Sequence, residues 1–277
     1  MLLPGPMFSP PRRLLLLSHL LPRLLALALG CGLAAQAAEP DAPRTPLAVI
    51  KAMSKEAAAA AVSVRVRGTV TQHETESFVI HDGREGLFIL CTPGSVPSFG
   101  REVEVEGTTD SGGFAPVIRA KRITTMGERE VAPRVIDHLF ELDYGSMDCQ
   151  WVEVEGWLRS AQPASPAVPV YTAYAILSSG SDRVDLTFLA TSYAEVQKWV
   201  GSRVRIRASC GHYFNPHGQL YGARLIVPRT AGIDVLEPAR PRAAVPLVRI
   251  DSLLSYAPTE PPQGRVHLQG VVTYQHS

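Results

Sequence analysis

Two short stretches carry residue types suited to catalysis or metal binding, and in each the pattern is incomplete. Asp110-Ser-Gly-Gly113 could present Ser111 as a nucleophile in a glycine-rich loop. It lacks a preceding glycine and no Ala-Ala-His-Cys segment supplies a base, so a turn between strands accounts for it. His212, Asn215 and His217 cluster in Gly211-His-Tyr-Phe-Asn-Pro-His-Gly218. Two histidines at that spacing bind a metal only if a third ligand converges, whereas Asn-Pro-His-Gly is first of all a hairpin turn. Alternating carboxylates occur at Glu102, Glu104 and Glu106 and again at Glu153 and Glu155. Strand spacing puts each set on one outer face opposite arginines, a poor place for acid–base work. Nucleophile-elbow, zincin, phosphate-loop and dinucleotide motifs are absent from the sequence. The chain reads as a non-enzyme with no catalytic residue, metal site or cofactor.

The elements that would position these residues recur along the chain. Val62-Ser-Val-Arg-Val-Arg-Gly-Thr-Val70 is an alternating strand containing a glycine near its end. It returns as Trp151-Val-Glu-Val-Glu-Gly-Trp-Leu158 and as Arg265-Val-His-Leu-Gln-Gly-Val-Val272. A second strand type, Gly100-Arg-Glu-Val-Glu-Val-Glu-Gly107, is echoed by Gly201-Ser-Arg-Val-Arg-Ile-Arg-Ala208. Two strand types in the same order define an internal repeat. Each repeat is preceded by apolar residues at helical spacing, beginning at Leu47, Val135 and Val248, which predict a short lead-in helix.

The first unit reads as five strands: Val62–Glu74, Ser77–Asp82, Gly86–Cys91, Arg101–Thr109 and Phe114–Thr125, with turns at Asp82-Gly83 and Ser111-Gly112-Gly113. The second places strands near Trp151–Ser160, Val170–Leu177 and Arg183–Leu189. A helix opened by the capping box Ser192-Tyr-Ala-Glu195 follows, then strands Arg203–Ser209 and Leu220–Val227. Three strands, a helix and two strands is the order of an OB fold, a five-stranded Greek-key barrel. The expected class is therefore all-β, with tandem five-stranded OB-like Greek-key barrels joined by short helices and a truncated third barrel. The divisions are a signal peptide at 1–37, a linker and lead-in helix at 38–60 and barrel one at 61–131. Residues 132–238 hold a lead-in helix and barrel two, and 239–277 a lead-in helix and the first strand of a third repeat.

In barrel one, Val62, Val64 and Val66 should face inward and Arg65 and Arg67 outward. On the fourth strand Val103 and Val105 point in, leaving Glu102, Glu104 and Glu106 outside. Strands one and four are neighbours in an OB barrel, so arginines should face glutamates across them. Barrel two exchanges the signs, with Glu153 and Glu155 on its first strand and Arg203, Arg205 and Arg207 on its fourth. Arginines paired within the fold are not available to phosphates, which argues against a nucleic-acid partner.

An OB barrel usually binds ligands on the face of strands two and three. Barrel one offers Phe78, His81 and Phe88 there, with His73 nearby, and barrel two offers Tyr171 and Tyr174. These could stack on a base or a sugar, or Phe78 and Phe88 could belong to the core.

Arg12, Arg13 and Arg23 precede the first acid, Glu39, and Leu24–Ala35 is an apolar run ending in the cleavage-type sequence Ala35-Gln-Ala37. This is the pattern of a secretory signal peptide. Its removal leaves 24 basic against 26 acidic side chains, so no basic field is present to attract nucleic acid or anionic lipid. Cys31 is a weak lipidation candidate. Cys91, Cys149 and Cys210 lie in no Cys-x-x-Cys pair and read as buried thiols.

Phe78-Val-Ile-His-Asp-Gly-Arg-Glu-Gly-Leu-Phe-Ile89, Gly100–Asp110 and Phe114-Ala-Pro-Val-Ile118 resemble the OB-like repeats of sensor histidine kinases common in Verrucomicrobia. Asp148–Gly156 and Asn215-Pro-His-Gly-Gln-Leu220 fit the same pattern. The resemblance implies an exported, periplasmic or extracytoplasmic, sensory or interaction region preceding a membrane segment and a kinase. It assigns no functional residues. Kinase motifs and a later membrane helix are absent, and the chain reads as stopping after the first strand of a third repeat. The expected partner is a small ligand or a protein, with membrane attachment only through a later segment. A free secreted protein binding oligosaccharide, peptide or nucleic acid is the alternative, as is a structural spacer.

Overall fold

The computed structural model describes residues 43–253 and 265–275, so the expected signal peptide and Cys31 lie outside the described residues. Alternation of apolar and charged residues produces each expected strand, with β5 and the second strand of barrel two beginning three residues later than expected. β1 (Ser63–His73), β2 (Ser77–His81), β3 (Gly86–Leu90), β4 (Arg101–Asp110) and β5 (Val117–Glu128) close into a barrel in the order β1-β2-β3-β5-β4. β1 pairs antiparallel with β4, and β3 runs parallel to β5. This is the OB topology. Val64, Val66, Val103 and Val105 face the core with Phe78, Ile80 and Ile118, whereas Val62 precedes β1 and is exposed, against expectation.

The second unit repeats the plan with β7 (Trp151–Pro163), β8 (Ala173–Ser179), β9 (Asp182–Phe188), α3 (Tyr193–Trp199), β10 (Arg203–Phe214) and β11 (Leu220–Val227). β10 closes the barrel on β7. The capping box at α3 is present: Ser192 Oγ accepts from the Glu195 N–H, and Glu195 accepts from the Ser192 N–H. Two short strands escape the sequence pattern. β6 (Arg134–Ile136) runs parallel to β7, and β12 (Ile233–Glu237) extends the edge of β10 beyond β11. Barrel one makes that same edge with the single long strand β5.

The lead-in segments differ from the predicted helices. Before barrel one there are two helical turns, α1 (Leu47–Lys51) and α2 (Lys55–Ala59), divided where Ser54 caps the second. Before barrel two the apolar spacing makes 3-10 turns, Leu139–Asp143 and Gly145–Met147, with Leu139, Leu142 and Met147 buried in the core. The third lead-in is a 3-10 turn at Ile250–Ser252. An edge contact with the first strand recurs in all three repeats, parallel in the second and third. The Thr45 N–H donates to Arg65 O, β6 pairs with β7, and Leu247 bridges His267. Beyond that bridge no described residue pairs with the expected third-repeat strand.

The repeated glycine has a packing cause. A Cβ on Gly156 would lie 2.7 Å from Ser178 O, and one on Gly68 would lie 3.0 Å from the Ile80 Cβ. Strands one and two cross closely there, and a side chain would push them apart.

The charge ladder is as the alternation predicts, with diagonal pairs in barrel one and, for Arg205–Glu155 and Arg207–Glu153, directly opposite pairs in barrel two. Glu104 takes Arg65 at 2.5 Å and Arg44 at 2.8 Å, and Glu102 takes Arg67 at 2.6 Å and Arg129 at 3.3 Å. In barrel two Glu155 takes Arg205 at 2.7 Å and Arg203 at 2.9 Å, while Glu153 takes Arg207 at 2.8 Å. Glu102 and Glu104, expected on the open outer face, are buried beneath their arginines.

Candidate functional site: the cleft between the barrels

Both barrels belong to one compact unit, Asp41–Ser277, and they are tied by side chains rather than strung on a linker. Phe99 from the β3–β4 connection packs against Trp151 with ring centroids 5.6 Å apart, and the Arg229 guanidinium lies 4.5 Å from the Phe99 ring centroid. Such aromatic and cation–π contacts are each worth about 0.5–1.5 kcal/mol. On the far side of the seam Phe114 stacks on Phe214 at 5.7 Å.

A relay of hydrogen bonds runs between these aromatic contacts. The Gly83 N–H donates to His81 Nδ1 at 3.1 Å, which leaves the proton on Nε2 to donate to Gln150 Oε1 at 3.1 Å. Gln150 Nε2 donates to Glu85 at 2.9 Å, and Lys51 Nζ reaches Glu85 at 3.1 Å and Asp148 O at 2.8 Å. Burial pushes the His81 pKa down, against the opposing bond to Gln150, which favours this neutral form. His81 is thus a buried joint between the barrels and is withdrawn as a ligand-binding residue. Phe78 is withdrawn too, since it is fully buried in the barrel-one core.

Of the other three candidates, Phe88 lines a cleft, Tyr171 bonds to two residues that line it, and Tyr174 touches only Tyr171. Phe88 points from β3 into a cleft of about 260 Å³ that separates the β2–β3 face of barrel one from the β10–β11 face of barrel two. Val79, Leu90, Val117 and Ile226 complete its apolar wall, and Phe114 lies at its rim. Tyr171 and Tyr174 meet edge to face at 6.0 Å. The Tyr171 hydroxyl donates to Glu74 Oε1 at 3.1 Å and accepts from Arg224 Nη1 at 3.4 Å, and both of those charged residues line the cleft. Burial pushes the Tyr171 phenol up, so it holds its proton and serves as the donor.

Arg224 and Glu74 escape a sequence reading. Arg224 looks like one more strand arginine, and Glu74 like the polar end of β1. The available signal is positional: Arg224 stands outside the arginine–glutamate ladder of the first and fourth strands. Its guanidinium lies 5.9 Å from the Tyr171 ring and 5.4 Å from the Tyr213 ring, and Tyr213 stacks on Tyr221 at 5.8 Å.

The two motifs that suggested chemistry have structural settings. Ser111 lies in the β4–β5 turn, where Asp110 Oδ1 accepts from the Gly112 N–H at 2.8 Å. Asn215 Oδ1 accepts from the His217 and Gln219 N–H groups, each at 3.0 Å, closing the hairpin between β10 and β11. His212 is buried and turned inward, 2.8 Å from Leu142 O and 3.1 Å from Asp148 Oδ1.

The strand order and barrel closure define a tandem OB-fold protein. No protein-family model matches the chain, and no curated protein matches it. Among solved structures, fission yeast Pot1 with ssDNA is similar at 8% identity over 70% of this chain and 88% of that one, with a TM-score of 0.34. The single-stranded DNA binding protein from Thermus aquaticus is similar at 13% identity over 65% and 93%, TM-score 0.23. The hypothetical protein ygiW from E. coli is similar at 17% identity over 30% and 90%, TM-score 0.26. Likenesses at these TM-scores carry no functional argument.

Proposed function

We propose that this chain is a non-catalytic, extracytoplasmic sensory or interaction module that recognises a small ligand in the cleft between its barrels. The observation that carries the reading is that Phe88, Glu74 and Arg224 line one largely apolar cleft at a two-barrel seam, with Tyr171 bonding to both charged residues. Sites of this kind are concave, mainly apolar and oriented by a few polar groups. A ligand there touches both barrels, so its binding would change how firmly they are held together, which suits a receptor. The resemblance of the repeats to those preceding sensor histidine kinases supports the same role.

The test is a thermal-shift screen of small metabolites on the chain and on a Leu90→Trp variant, whose indole fills the cleft. At least one compound should raise the melting temperature of the parent and leave the variant unmoved. A screen in which no compound acts, or in which both proteins respond equally, overturns the reading. Oligonucleotides belong in the same screen and should produce no shift, because the ladder arginines are occupied by carboxylates. Export is tested separately by fusing residues 1–60 to alkaline phosphatase, which gains activity only outside the reducing cytoplasm. We expect active enzyme, and an inactive fusion would place the module inside the cell.

A further inference from the structure

We propose that the ligand of the cleft is a free α-amino acid with an apolar side chain. This rests on the cleft being the ligand site. Each arginine in the two ladders has a carboxylate partner. Arg224 has none: among the described residues no carboxylate comes within 4.0 Å of its guanidinium. Asp185, its register partner on β9, turns to Tyr213 Oη at 3.4 Å instead. The Arg224 Nε is buried and has no hydrogen-bond partner among the described residues. A guanidinium held between two phenol rings with a buried, unfilled donor is set to receive an anion, above all a carboxylate.

Glu74 supplies the opposite charge from barrel one. Its Oε1 accepts from Gln72 Nε2 at 3.1 Å and from Tyr171 Oη at 3.1 Å, and among the described residues nothing donates to its Oε2. The Tyr171 hydroxyl therefore stands between an anion and a cation, and the cation keeps a buried donor with no partner among the described residues. A positive and a negative group that close together match the ammonium and carboxylate carried on a single carbon. Beside them Val79, Phe88, Leu90 and Ile226 offer the apolar wall for a side chain. The volume of about 260 Å³ lies below the roughly 300–1,000 Å³ typical of sites for drug-sized molecules, which fits one amino acid. An amine alone would leave Arg224 as it stands, and an acid alone would leave Glu74 so.

The experiment is calorimetric titration of the chain with L-leucine and L-phenylalanine, against 3-phenylpropanoate and 2-phenylethylamine as probes that each lack one charge. At least one amino acid should bind saturably, with both single-charge probes at least about tenfold weaker, the loss expected for one charge-assisted contact. Arg224→Gln and Glu74→Gln should each weaken the amino acid to a similar degree. Glu74 also bonds across the seam to Tyr171, and Arg224 bonds to Tyr171 within barrel two, so Leu90→Trp serves as the second variant: it blocks the slot, leaves both charges in place and should abolish binding. Equal affinity for a single-charge probe, unchanged affinity in Arg224→Gln, or binding that survives Leu90→Trp overturns the proposal. If neither amino acid binds while another metabolite still acts through the cleft, this inference falls and the ligand-site reading stands. If nothing acts through the cleft, both fall.

Discussion

Replacing Gly86 by alanine is expected to destabilise the chain by about 3 kcal/mol, a fall in Tm of roughly 6–12 °C for a domain of this size. Gly86 opens β3 and pairs with His81. A Cβ on it would stand 1.7 Å from the carbonyl oxygen of Cys149. That carbonyl cannot easily retreat. Cys149 is held in the left-handed region at φ 63°, its N–H donates to Cys210 O at 2.8 Å, and the Cys210 N–H donates to Gln150 O at 2.8 Å. Lys51 grips the preceding carbonyl of Asp148. The added methyl must therefore move whole strands at the seam and break the His81–Gln150–Glu85 relay beside them. Gly127→Ala is the control, since nothing lies within 4 Å of its new Cβ. It should stay within about 0.5 kcal/mol of the parent. Equal melting temperatures for the two variants, measured by calorimetry, would show that the seam is loose and that no rigid cleft exists.

The same seam explains what could be read from the chain and what could not. Strand alternation is local, so the β1 and β4 patterns announce themselves, and their opposite charges even predict which strands close the barrel. Ser192 and Glu195 likewise announce α3 because a capping box needs only four consecutive residues. β6 is three residues long and exists only because β7 offers it an edge. Leu139 and Leu142, three apart, suit a 3-10 turn as well as an α-helix, and burial against the second barrel decides between them.

The site residues divide by the same rule. His81 looked like a ligand residue on an open barrel face; its partner Gln150 lies 69 positions away on the next repeat, and that contact is invisible to any local pattern. Glu74 and Arg224 belong to different barrels and are joined only through Tyr171, which lies in the connection before β8. Phe88 and the two tyrosines were legible because aromatic residues on or beside strands two and three are few. That Phe88 lines the cleft and Tyr171 bonds to two residues lining it was not, because it depends on how one barrel is set against the next.

Glu104→Ala is expected to cost about 2 kcal/mol, below the roughly 3–5 kcal/mol for breaking a fully buried ion pair because Arg44 is half exposed. Two guanidiniums converge on this buried carboxylate, and its loss removes the nearer of the two carboxylates beside Arg65, Glu104 at 2.5 Å against Glu106 at 3.7 Å. The hydrogen bond from Arg65 holds the Glu104 carboxyl below the usual carboxylate range against the effect of burial, with Arg44 adding to it. Arg67, assisted by Arg129, does the same at Glu102. A carboxyl whose pKa is lower in the folded chain contributes stability that is present above its unfolded pKa and disappears as pH falls through the folded one. Urea melts should therefore show stability falling as pH drops below about 4, and Glu104→Ala should flatten part of that slope. Barrel two carries the same ladder with its signs exchanged, which makes a sharper test possible. Arg65→Glu combined with Glu104→Arg should recover at least half of what either change costs alone, since neighbouring charges couple by about 0.5–3 kcal/mol. If the double variant is no better than the single ones, the pairs are bystanders to a barrel held by its valines. Recovery would mean that the sign of a strand is free to change between repeats and only its opposition to the partner strand is fixed.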